Sequence, residues 1–96
     1  MTTTVYTATF VDADGKKFHG TICWDKYSPR RLDATLCRHI TESEVDYPQW
    51  TQSAPYGRGG LETLMRRMKS KTAKMHLTLV SEAETAFSVR ADASWA

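Results

Sequence analysis

The pair Asp14-Gly15 lies between two runs of strand-forming residues, and this arrangement limits the possible folds more than any other feature. Residues 4–11, TVYTATFV, are almost wholly β-branched or aromatic, and residues 18–24, FHGTICW, resume that character. Aspartate and glycine both tolerate the positive φ of a tight turn, so the stretch predicts a β-hairpin. A two-residue loop at 14 and 15 would oppose Thr7 to Ile22 and Thr9 to Gly20. It would gather Val5, Thr7, Thr9, Val11, Phe18, Gly20, Ile22 and Trp24 on one face, the expected core. Tyr6, Ala8, Phe10, His19, Thr21 and Cys23 would form the other face.

Further along, Ser28 can cap a helix and Pro29 suits its first turn. Leu32, Leu36 and Ile40 recur at four-residue spacing, which predicts a first helix ending near Thr41-Glu42-Ser43. Residues 44–50, EVDYPQW, read as an edge strand or an extended loop, because Pro48 excludes a central strand. Residues 51–60, TQSAPYGRGG, read as the clearest loop of the chain. A second helix is expected from Leu61 to Lys71, where Leu61, Leu64, Met65 and Met68 make an apolar stripe. Strands are expected at 74–80 and 86–92, with a turn at 81–85. Trp95 in the tail either packs back or frays. The predicted order is β-β-α-(β)-α-β-β. It describes an α+β domain over residues 1–96, an antiparallel sheet with both helices packed on one face.

The length of 96 residues suits one small domain. An apolar content of 41%, with three Trp, four Tyr and three Phe, supplies a core and argues against wholesale disorder. No secretory signal is visible at the start and no apolar run approaches a membrane span. Cys23 and Cys37 therefore read as free thiols of a cytoplasmic protein.

Catalytic and metal chemistry find little support. His19 and Cys23 share a strand face, but Cys37 and His39 on a helix would diverge by roughly 200°. No paired zinc-ligand spacing exists. The carboxylates Asp12, Asp14, Glu42, Glu44 and Asp46 read as solvated turn residues. The expectation is a non-enzyme without cofactor or metal. Gly57 to Leu61 could offer backbone N–H groups to an anion at a helix start, but the flanking motif of a phosphate loop is missing.

Charge is the stronger signal. Arg58, Arg66, Arg67, Lys69, Lys71 and Lys74 face only Glu62 between residues 58 and 74, a local +5 in a chain of net +2. The remainder is therefore net acidic, and this segregation favours an acidic partner. On a helical projection Lys69 and Arg66 fall on one flank of the apolar stripe, with Arg67 and Lys71 on the other. Arg30, Arg31 and Arg38 of the first helix would extend the positive surface. Tyr47, Trp50 and Tyr56 in the irregular segment, with Arg58, are residue types that dominate protein interfaces and that also stack on bases.

A compact α+β chain of this size, with no active-site motif and with Tyr47, Trp50 and Tyr56 in an irregular segment, resembles the small inhibitors that phages encode against host defences, the anti-CRISPR proteins among them. That resemblance implies binding to a host nucleoprotein complex at a surface that normally meets nucleic acid. Glu42, Glu44 and Asp46 would be the acidic contact there. The leading expectation is thus a non-enzymatic protein–protein interaction module of inhibitor type, with Tyr47, Trp50, Tyr56 and Arg58 on the partner. A nucleic-acid-binding protein using Arg66, Arg67, Lys69 and Lys71 is the first alternative. A structural subunit of a larger assembly is the second.

Overall fold

Alternation of apolar and polar residues runs through most of the first 55 positions, and it builds a sheet rather than a sheet with an inserted helix. The computed structural model describes residues 4–24, 31–39, 48–55 and 59–84. Strands β1 (Thr4–Val11), β2 (Lys17–Trp24), β3 (Arg31–Arg38) and β4 (Trp50–Pro55) follow one another as an antiparallel meander. Helix α1 (Gly60–Lys74) then crosses the sheet, and β5 (Thr78–Glu84) pairs antiparallel with β1. The spatial order is β4-β3-β2-β1-β5. Five strands put the two edges about 19 Å apart. A 15-residue helix contributes about 22 Å of reach, so one helix suffices to carry the chain between them.

This corrects the two-helix expectation. The segment expected as the first helix contains β3, whose Leu32, Ala34 and Leu36 are fully buried at alternate positions. Leu32 and Leu36 satisfy a four-residue period and a two-residue period alike. Ala34 between them satisfies only the second, and Thr35 and Cys37 favour a pleated surface. The expected loop at 51–60 contains most of β4, and Pro55 is its last residue, where an edge strand tolerates the missing donor. The strand expected at 74–80 starts later, and β5 runs through the expected turn. The strand expected at 86–92, and Trp95, lie outside the described residues.

The hairpin exists with a different register. Thr7 opposes Thr21 and Thr9 opposes His19, one residue away from the expected pairing. Asp12 N–H donates to the Lys16 carbonyl at 3.0 Å, leaving a three-residue loop that ends on Gly15 at φ 82°. Glycine takes that left-handed position without the strain a Cβ would bring. Asp12 Oδ1 also accepts from the N–H groups of Asp14 and Lys16, at 2.9 and 2.8 Å. One residue of slip exchanges the faces of a strand. The core face of β1 is therefore Tyr6, Ala8 and Phe10, opposite Phe18, Gly20, Ile22 and Trp24. An irregularity between Thr4 and Tyr6 lets Val5 be buried beside Tyr6.

The core lies between this face and α1, whose Leu61, Leu64, Met68 and Thr72 are buried. Met68 sits over Gly20, where an added Cβ would stand 2.5 Å from its Sδ. The helix packs on β4, β3 and β2. It ends in a Schellman arrangement: Leu77 N–H donates to Thr72 and His76 N–H to Ala73. His76 occupies the left-handed position that glycine usually fills, at φ 60°.

Candidate functional site

The two flanks of α1 meet different neighbours. Toward β5, Lys69 Nζ lies 3.2 Å from Glu82 Oε1, and the Tyr6 hydroxyl donates to that same oxygen at 3.0 Å. Burial, reinforced by this hydrogen bond, pushes the Tyr6 hydroxyl well above the usual tyrosine range. The bonds from Lys69 and Tyr6 hold Glu82 below the usual carboxylate value. Lys69 is thereby neutralised within the fold.

Toward β4 the flank stays open. Trp50, Gln52 and Ala54 alternate on the helix side of β4, opposite Leu36, Ala34 and Leu32 of β3. Trp50 is half-buried and rests against the core. Arg67, Lys71 and Lys74 stand at i, i+4 and i+7 of α1, which places them along one helix flank. Between strand and helix lies a groove of about 250 Å³ lined by Trp50, Gln52, Arg67, Ser70, Lys71 and Lys74. Arg67 Nη1 donates to Gln52 Oε1 at 3.1 Å, which fixes the guanidinium over the groove and leaves its other N–H groups to donate elsewhere. Among the described residues no carboxylate lines the groove, and none pairs with Lys71 or Lys74.

The structure therefore regroups the sequence candidates. Trp50, Arg67 and Lys71, expected among the partner-binding residues, come together. Lys69 is on the opposite flank and engaged with Glu82. Arg66 is exposed and does not line the groove. Arg31 is on the sheet face away from α1, beside Asp33 at 3.3 Å, so it does not extend the helix's positive surface. Tyr47, Tyr56 and Arg58, with Glu42, Glu44 and Asp46, lie outside the described residues. Gln52, Ser70 and Lys74 were missed as site residues. Lys74 was legible as the next turn after Lys71 once the helix is allowed to run three residues further. Gln52 was not, because its role depends on β4 being a strand.

Gly59 and Gly60, at the start of α1, have a structural use. Gly59 adopts φ 77°, and a Cβ on Gly60 would run into the Pro55 carbonyl oxygen. The helix start is pressed against the end of β4, and this close approach explains Gly60 without a bound anion.

The open sheet face is polar. Thr51, Thr35, Thr21 and Thr7 form one rung across four strands, with the Thr21 and Thr35 hydroxyls 2.8 Å apart. Cys37 and His39 share this face because they lie on and beside a strand, which corrects the divergence expected from a helix. His19 opposes Cys37, and its ring meets His39 edge-on with centroids 5.7 Å apart. Burial first, and His39 second, lower the His19 pKa. Among the described residues no group of three His, Cys, Asp or Glu side chains is arranged to hold a metal ion. Cys23 opposes Asp33, four positions along from the His19–Cys37 pair, roughly 13 Å away, too far for a disulfide.

Among the described residues no helix is long and apolar enough to cross a membrane. No family model matches the chain, and neither the curated proteins nor the solved structures give a match.

Proposed function

We propose that this protein is a non-enzymatic binding module that holds an anionic partner in the groove between α1 and β4. One observation carries the reading: Arg67, Lys71 and Lys74 line a single concave surface with Trp50, and no carboxylate among the described residues lies with them. A concave wall raises the local potential above that of scattered surface cations. The ordered helix fixes the backbone under each cation, so on binding only side-chain freedom is lost.

The inhibitor reading finds less support in this groove. A surface that normally meets nucleic acid is itself basic, and three cations would oppose docking on it. The test compares charge position at equal net charge. On heparin, a sulfated polyanion, K71E/K74E should elute at clearly lower salt than the unaltered protein. K16E/R66E, which makes the same charge change outside the groove, should elute later than K71E/K74E. Equal elution of the two variants would remove the groove from consideration.

A further inference from the structure

We infer that the anionic partner is a single-stranded nucleic acid, with one base stacked on Trp50 and consecutive phosphates on Arg67, Lys71 and Lys74; this rests on the groove reading above. The lining decides between partner classes. A protein partner usually anchors an apolar or aromatic side chain in a desolvated pocket. Here, among the described residues, Trp50 is the one apolar lining residue, and the other five are polar or cationic. The groove is below the usual size of a pocket that encloses a whole small ligand, which suits one subsite of a polymer.

Spacing points the same way. Positions 67, 71 and 74 stand about 6 Å and 4.5 Å apart along the helix axis. That row can follow the backbone of an extended strand. Trp50 lines the groove with them, and an aromatic side chain beside a charged track is the pairing that single-strand binders use. Gln52 has an amide N–H₂ group to give to a base edge. The bases of a duplex are already stacked on one another and are not free to stack on Trp50. β4 is an edge strand of the sheet, so among the described residues no further strand closes that side.

The experiment uses fluorescence anisotropy with short labelled oligothymidylate and oligouridylate, a duplex of equal length, and polyaspartate as competitor. Expected are tighter binding to the single strands than to the duplex and a salt slope near −2, about 0.7 for each of three phosphates. W50A should weaken binding about 10-fold or more, and W50F should recover most of the loss. K74Q, an exposed change, should lower the salt slope by about 0.7. Circular dichroism of each variant separates lost binding from lost folding. If W50A does not fold, the W50F affinity and the K74Q slope decide. Duplex bound as tightly as single strand would overturn the inference and leave the anionic groove intact. So would a W50A variant that folds and binds normally, and so would polyaspartate binding without oligonucleotide binding. Failure of every polyanion to bind would overturn both readings.

Discussion

The two flanks of α1 begin from similar chemistry and end differently. On the β5 side a lysine meets a glutamate that a buried tyrosine also holds, and the charge is spent on docking the helix. On the β4 side the sheet offers an amide and an indole instead, so the three cations meet no carboxylate among the described residues. The helix composition is similarly basic along both flanks. What differs is the neighbouring strand: β5 carries Glu82 and Glu84, while β4, WTQSAP, carries no charge. A basic helix keeps an unneutralised flank only where the neighbouring strand brings no carboxylate.

The largest break in this contrast comes from removing its common seat. Met68 is fully buried over Gly20. M68A should cost about 2–5 kcal/mol, read by chemical denaturation, and should weaken both flanks together. Loss of groove binding with unchanged stability would mean that the helix is not held from below.

A smaller change sharpens the groove side. H76G relieves a non-glycine residue in the left-handed conformation and should stabilise the protein by about 1 kcal/mol. It should leave polyanion affinity unchanged, since His76 follows the last groove cation. A lower melting temperature would show that the histidine side chain supports the helix end by other means.

The smallest effect separates the β5 flank from the open sheet face by pH. His19 and Glu82 both have lowered pKa values in the fold. The folded state therefore binds their protons less readily than the unfolded chain, and stability falls as pH falls. The loss should begin near pH 6.5 with His19 and continue below about 4.5 with Glu82, being complete only below each folded-state value. E82Q should flatten the more acidic part of a melting-temperature profile and leave the part near pH 6 alone. An unchanged acid limb would show that Glu82 contributes nothing to docking the helix.

Legibility in the sequence followed locality. The apolar stripe of α1 and the assignment of Arg67 and Lys71 to one flank, Lys69 to the other, follow from helix geometry alone, and the structure has the same division. β1 and β2 follow from composition and the Asp-Gly turn. Their register did not, because the turn closes with three residues rather than two, a difference expressed in the bond from Asp12 to Lys16. β3 was misread because its leucines fit two periods. β4 has no strong pattern of its own. Its strand conformation comes from pairing with β3, a contact that no local reading supplies. Because the groove is half strand and half helix, its helical half was visible and Gln52 and the placing of Trp50 were not.

The position of β5 has a consequence for how the chain reaches this state. β1 contains no charged residue, and, made before the other described strands, it is an uncapped edge next to its hairpin partner. Val11 finds Lys17 at once, but it meets Thr78 only across most of the chain, at roughly 2 kcal/mol more closure entropy. Until then, Thr4–Val11 exposes a neutral, strand-ready edge of the kind that joins other chains. β5, bearing Glu82 and Glu84, closes that edge with a charged strand. During synthesis, the interval between the emergence of β1 and that of β5 is when this protein is most exposed to aggregation.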